Sequence, residues 1–174
     1  MGRWKPAIEI DGEPILTLVA KLALRHVDRL IVVTGYRGGE AEALLPEAGE
    51  ITVVRNADYR RGMFSSIQTA LPRISAESFL VFLGDMPGVP DSVVTSLVEH
   101  PLSTWVRPVY RERPGHPVRI HRELIPELLA LDAREGEMRD VLKRYEGTLI
   151  PVEEPGVQAD LDTPEDLRRF SRER

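Results

Sequence analysis

Apolar and polar positions alternate along this chain in short blocks. The most informative block covers residues 79–83. Phe79, Leu80, Val81, Phe82 and Leu83 are apolar without interruption, which predicts a strand covered on both faces. Gly84 and Asp85 end the run, and Pro87 and Pro90 forbid its continuation. A second continuous run, at 29–35, predicts a buried strand ending at Gly35. Shorter strands are predicted at 51–54 and 148–152. Residues 104–109 are strand-like but hold Pro108, so they are expected to be irregular or near an edge. Residues 117–120 are expected to pair nearby. Between the strands, Ile15, Leu18, Val19, Leu22 and Ala23 recur at helical spacing, predicting a helix over 14–27 opened by Pro14. Further helices are predicted at 40–45, 64–71, 124–131 and 138–145. Asp91 is expected to cap a helix running to Glu99, and a terminal helix is expected from Pro164 with Thr163 as its N-cap.

Strands alternating with helices predict an α/β fold with a three-layer, mostly parallel sheet. The 174 residues predict one domain spanning 1–174. With 42% hydrophobic and 29% charged residues the chain reads as globular. A net charge of −5 argues against a nucleic-acid partner. No apolar run reaches the roughly 18–20 residues of a membrane span, and the first residues lack a signal-peptide core. The absence of cysteine excludes disulfides, thiolate metal sites and cysteine nucleophiles. A cytoplasmic protein without a membrane partner is expected; its oligomeric state is left open. No strand is followed by GxGxxG, which argues against a dehydrogenase.

Asp85 is the first candidate for chemistry. It stands at the carboxyl end of the central strand, where open α/β sheets bind ligands. One or two carboxylates with substrate phosphates suffice for Mg2+, although an ordinary turn aspartate fits the same position. Four other stretches carry polar groups. Gly2, Arg3 and Lys5 open the chain, and a lysine beside glycine can neutralise phosphate charge. Asn56 leads into a loop in which Gly62 frees the backbone before a helix holding Ser65 and Ser66; unpaired N–H groups and hydroxyls there can meet a base or phosphate. A helix cap by Ser65 explains the same residues. In 113–117, Gly115 and two prolines frame His116, which fits either a functional or a structural loop histidine. Asp160 and Asp162 share one side of a short extended segment, where either could join Asp85 around a cation or simply cap the last helix.

Taken in order, MGRWK with DGEPIL, NADYRRGMFSSIQTAL, FLVFLGDMPGVP, GHPVRI and DLDTPEDL resemble the nucleotidyltransferases that make molybdenum-cofactor dinucleotides, in particular their cytidylyltransferase-like branch. The resemblance covers nearly the whole chain. It implies a Rossmann-like nucleotidyltransferase domain that joins CTP or GTP to the phosphate of a molybdopterin-type cofactor, with Mg2+ and release of pyrophosphate. By position it implies Asp85 as Mg2+ ligand, Asp160 as the second acidic member with Asp162 in reserve, and Lys5 as phosphate contact. Gly62, Ser65 and Ser66 fall where the family meets the base, and His116 in the part facing the acceptor.

The chain departs from the family in two places. The family opens with a strand and glycine-rich loop of the form LAAGxSxRMGxxK, and this sequence starts at the final MGxxK. That segment supplies a central strand and N–H groups that wrap the triphosphate. Its absence predicts that the strands at 30–33 and 79–83 have their gap filled by a longer native start or another chain, or close up and pair directly. Phe64 stands where small residues are usual, beside the expected base pocket. Two rival readings are an enzyme of the same fold acting on another phosphate or sugar phosphate, and a non-catalytic nucleotide- or cofactor-binding protein that has lost the phosphate loop.

Overall fold

The computed structural model describes residues 4–101 and 103–158. Gly2, Arg3, Asp160, Asp162 and the helix expected from Pro164 lie outside the described residues. In chain order the elements are β1 (Glu9–Ile10), β2 (Glu13–Pro14), α1 (Ile15–Leu24), β3 (Arg29–Thr34), α2 (Gly38–Glu42), β4 (Glu50–Arg55), α3 (Met63–Ala70) and β5 (Ser78–Val81). They continue with α4 (Asp91–Glu99), β6 (Trp105–Tyr110), β7 (Arg113–Pro114), β8 (Val118–His121), α5 (Ile125–Ala130), α6 (Met138–Leu142) and β9 (Thr148–Pro151).

The chain is α/β, as its pattern predicts. β3 and β4 run parallel, in register from Arg29↔Glu50 to Thr34↔Arg55. A second, mixed sheet has the order β5-β8-β6-β7, with β9 parallel to β6. β8 is antiparallel to both β5 and β6, so β5, β6 and β9 run in one direction and β8 and the two-residue β7 oppose them. β8 therefore lies inside the sheet. The pattern at 117–120 located it but did not give its place in the order.

Both faces of this sheet are covered. Phe79 and Val81 of β5 pack with Val118, Ile120, Leu128 and Val141 on one side. Leu80 and Phe82 pack with Leu22 of α1 and Val93, Val94 and Leu97 of α4 on the other. Arg119, paired with Leu80 across the sheet, uses Nη1 to cap the end of α4 at the Leu97, Val98 and His100 carbonyls, 3.1, 3.0 and 2.8 Å away. That satisfies helix-terminal acceptors which no further turn can reach.

Four expectations are corrected. β5 stops at Val81, and Ser78 to Val81 are half-buried rather than buried, as are Leu30 to Val33 of β3. The reason is pairing. Among the described residues β3 pairs only with β4 and β5 only with β8, and no strand stands between them. The two runs do not pair with each other, so among the described residues each keeps one open edge. Second, β6 is interior despite Pro108. The β8 ladder ends at Val106 and the β7 ladder begins at Val109, so Pro108 sits in the gap where that side needs no ladder donor. Third, Asp91 is the first residue of α4 rather than its cap, which is Pro90. The Asp91 carboxylate accepts from Arg25 Nε at 2.6 Å and lies 3.1 Å from His26 Nε2. Fourth, the hairpin β1–β2 was not anticipated, although Asp11 and Gly12 have φ of 54° and 82° and supply its turn. No described helix is long and apolar enough to cross a membrane.

Candidate functional site

β3, β4 and β5 each deliver a loop, and the chemistry gathers in the loops after β4 and β5. After β5, the Met86 N–H donates to the Leu83 carbonyl at 3.2 Å and turns the chain. Asp85 is left partly exposed at the bend. Lys5 Nζ lies 3.7 Å from Asp85 Oδ2, with the two side chains 31% and 36% exposed. These residues are 80 positions apart in sequence, and apolar packing brings them together. Ile8, three residues after Lys5, packs with Ile10, Ile15, Val19 and Phe82, and Phe82 stands three residues before Asp85. At 3.7 Å the pair is an ion contact beyond hydrogen-bond length. The carboxylate is therefore not locked to the ammonium.

The loop after β4 is built differently. Asn56 is buried, and its Nδ2 donates to Ser65 Oγ at 2.9 Å and Ser66 Oγ at 3.0 Å. Its Oδ1 accepts from the Asp58 N–H at 2.9 Å. Ser65 Oγ in turn donates to the Gly62 carbonyl at 2.7 Å. Gly62 has φ of 97°, a conformation that favours glycine, and it is the residue that caps α3. Ser65 is the third residue of that helix, so the helix cap expected from it does not form. Phe64 is buried in the core rather than facing a pocket. The loop is tied down further by Arg61 Nη2 on Asp132 at 2.6 Å, and by Gln68 Nε2 on the Leu128 and Leu131 carbonyls. Asn56, Ser65 and Ser66 thus hold the loop in shape. The first N–H groups of α3 have no side-chain cap.

The third part is the His116 loop between β7 and β8. Gly115 is fixed from two sides. Its carbonyl accepts from Arg107 Nε and Nη2 at 3.2 and 3.0 Å, and a Cβ at this position would lie 2.5 Å from the Val157 carbonyl oxygen. The His116 N–H donates to that same Val157 oxygen at 2.8 Å. The peptide bond from His116 to Pro117 is cis. His116 Nδ1 is buried and has no partner. Burial pushes the His116 imidazole below its usual range; the Arg107 charge adds to this, while the Val81 carbonyl and the Asp85 carboxylate act in the opposite direction. His116 lines a cleft of about 360 Å³ with Leu83, Met86, Arg113, Val157 and Gln158.

The structure therefore brings Lys5, Asp85 and His116 into one neighbourhood, and it gathers Asn56, Gly62, Ser65 and Ser66 into one loop. The residues that the sequence did not single out are Arg107, Arg113 and Gln158. Arg107 left a signal, being a charged residue inside the strand-like stretch WVRPVY. Burial lowers its pKa, yet a guanidinium stays charged. Among the described residues no group of three or more potential metal ligands occurs. Among the described residues Asp85 is a single carboxylate there, a donor that would suit a hard cation sharing its shell with substrate phosphates and water.

Comparison with known proteins bears on the family and the fold. A family model for the MobA-like NTP transferase domain matches residues 1–149. The molybdenum cofactor cytidylyltransferase of Escherichia coli (strain K12) is 28% identical over 167 residues, covering 96% of this chain and 86% of that protein. The homolog of Mycobacterium tuberculosis rv0371c from Mycobacterium sp. strain JC1 superposes with a TM-score of 0.78 at 27% identity, covering 99% of this chain and 89% of its own. A nucleotidyl transferase from Methanothermobacter thermautotroptrophicus gives a TM-score of 0.81 at 21% identity, covering 98% and 86%. The fold is that of the nucleotidyltransferases.

Proposed function

The chain belongs to the MobA-like NTP transferase family and is a nucleotidyltransferase, and from that we propose that it transfers the cytidylyl group of CTP to the phosphate of a molybdopterin-type cofactor. The observation that carries the site is the loose Lys5–Asp85 pair at the end of β5, beside the His116 loop. The nucleotide and acceptor are supported by the similarity to the Escherichia coli cytidylyltransferase.

In the proposed reaction an oxygen of the acceptor phosphate attacks the α-phosphorus of CTP. The bond from that phosphorus to the oxygen bridging to the β-phosphate breaks, and pyrophosphate leaves with the electron pair. Transfer of this kind asks the protein for alignment and charge neutralisation more than for covalent chemistry. Asp85 would hold Mg2+ together with substrate phosphates, and the metal would supply positive charge at the α-phosphate. Lys5, 3.7 Å from Asp85, would present its ammonium to a phosphate oxygen of the nucleotide. The Asn56–Ser65–Ser66 network fixes the N-terminus of α3 for contact with the nucleotide. His116 faces the acceptor.

The test is pyrophosphate release with CTP, GTP, ATP and UTP in turn, each with molybdopterin as acceptor and with Mg2+ or EDTA. Release that is Mg2+-dependent, acceptor-dependent and fastest with CTP is expected. Preference for GTP would overturn the choice of nucleotide. Turnover with a sugar phosphate and none with molybdopterin would overturn the acceptor.

A further inference from the structure

Lys5 brings its charge to Asp85 from a short element. It opens a three-residue 3-10 turn, Lys5–Ala7, in which the Ala7 N–H donates to the Trp4 carbonyl at 3.2 Å and the Ile8 N–H to the Lys5 carbonyl at 3.0 Å. Downstream, Ile8 anchors the segment in the apolar cluster of Ile10, Ile15 and Val19. Upstream, the anchor is Trp4. The Arg37 guanidinium lies over the Trp4 ring, 4.7 Å from its centroid. Glu40 holds the same guanidinium along its edge, accepting from Arg37 Nε at 2.6 Å and also from Nη2. A carboxylate on the edge and an indole on the face suit a planar guanidinium, not a compact ammonium. The turn after β3 places Arg37 itself. Arg37 has φ of 57°, and Gly38 beside it packs so closely that a Cβ there would lie 2.9 Å from Thr34 Oγ1. A Cβ on Gly35 would lie 2.5 Å from Tyr59 Cβ, so the same turn rests on the loop after β4. Trp4 and Lys5 therefore reach from the loop after β3, through Arg37, to the loop after β5, through Asp85. Among the described residues β3 and β5 belong to separate sheets, and this segment links their carboxyl ends.

We propose that the Trp4–Arg37–Glu40 stack is a staple that positions Lys5, which makes Trp4 and Arg37 positioning residues of the transfer reaction. The proposal rests on the reading of Lys5 as the group that meets a nucleotide phosphate, and it adds what holds that group in place. A lysine side chain is a flexible stem, so the reach of its ammonium depends on how firmly its backbone is held. The stack fixes that backbone one residue upstream, and Ile8 fixes it three residues downstream. Glu40 acts one step further out, since it sets the plane that Arg37 presents to Trp4. A displacement of about 1 Å at a reacting centre can cost up to about a hundredfold in rate. Loss of the stack loosens Lys5 without removing it, so turnover falls and is not abolished.

The experiment has two arms, both on the full chain. In the first, lysine-selective 15N labelling gives three backbone amide signals, from Lys5, Lys21 and Lys143, and their heteronuclear NOE is measured without nucleotide. Lys21 lies in α1 and Lys143 follows α6, so both serve as internal controls. Arg37→Gln, at an exposed side chain, should lower the NOE of Lys5 and leave the other two unchanged. Trp4→Leu should do the same, and Trp4→Phe, which keeps an aromatic face, should restore most of the parental value. In the second arm, pyrophosphate release from CTP should fall in kcat/KM by about fivefold in Arg37→Gln, the size of one cation–π contact. In a Lys5→Ala background, Arg37→Gln should cost nothing further, because Arg37 acts through Lys5. A Lys5 amide as rigid in Arg37→Gln as in the parent would overturn the proposal, whatever the folding of the Trp4 variants. So would an equal loss from Arg37→Gln with and without Lys5, which would mean that Arg37 meets substrate directly. The first arm needs no turnover. A Lys5 amide loosened in Arg37→Gln, in a protein whose parent releases no pyrophosphate from CTP, would uphold the staple and remove the reaction proposed above. Parental turnover that Arg37→Gln leaves unchanged would do the reverse.

Discussion

The loops after β4 and β5 each carry a polar cluster, and the two are built on different principles. In the loop after β4, Asn56 spends both ends of its amide on Ser65, Ser66 and the Asp58 N–H, and Ser65 returns its hydroxyl to a backbone carbonyl. Around the loop after β5, the Lys5–Asp85 contact is 3.7 Å long, and among the described residues His116 Nδ1 has no hydrogen-bond partner and Arg107 no carboxylate partner. Buried polar groups that are fully partnered rigidify a fold, and those left unpartnered cost stability until something binds. The first cluster therefore gives shape, and the second gives chemistry. A family resemblance assigns residues of both clusters to substrate alike; the hydrogen-bond accounting sets Asn56, Ser65 and Ser66 apart, although Arg61 Nε in the same loop is, like His116 Nδ1, buried without a partner among the described residues.

Substitutions can break that division, and the largest effect is expected at Asp85. Asp85→Asn should lower turnover by about a hundredfold or more, the scale of losing a key charged group at a phosphoryl site. Its melting temperature should hardly move, because a partly exposed ion pair contributes about 0–1 kcal/mol. Pyrophosphate release and thermal melts check both parts. Asn56→Ala should show the converse. It leaves a buried serine hydroxyl and the Asp58 N–H without their partner and should cost about 2–3 kcal/mol, read from urea denaturation.

A smaller effect, of opposite sign, is expected at the tip of the β6–β7 hairpin. Arg111 and Glu112 have φ of 47° and 65°, so the turn is left-handed at both central positions, which suits Asn-Gly far better. The double substitution Arg111→Asn, Glu112→Gly should stabilise the protein by about 1 kcal/mol, raising the melting temperature by a few degrees. The smallest effect concerns pH. Arg25, and then His26, hold the Asp91 carboxyl below its usual range. Its contribution to stability is therefore present above the ordinary carboxylate pKa and disappears as pH falls through the depressed one. Melting temperatures of the parent and of Asp91→Asn should differ slightly near neutrality and converge in acid.

Much of the fold was legible because local pattern determines it. The periodic helix at 15–24 and the apolar runs at 29–34 and 78–81 fall within a few residues of their predicted places. What was not legible depends on pairing between distant segments. The sequence of β6 shows Pro108 but does not show that β8 leaves and β7 joins on either side of it. The apolar run of β5 predicts burial, yet its burial is set by which edges find partners. The same holds for the site. Asp85, Lys5 and His116 could be named from their loops, whereas Arg107 could not, because its meaning lies in the Gly115 carbonyl it holds. Ser65 read as a helix cap, and it instead closes a network with Asn56, nine positions away.

The most direct test of the division between the two clusters is the rate of CTP-dependent pyrophosphate release per folded molecule, measured for Asp85→Asn and Asn56→Ala in one assay below the melting temperature of both. The structure predicts that Asp85→Asn is folded and inactive, and that Asn56→Ala, although less stable, keeps turnover within about tenfold of the parent, since it disturbs positioning and leaves the charged groups in place. An Asp85→Asn protein that turns over at the parental rate would contradict the account.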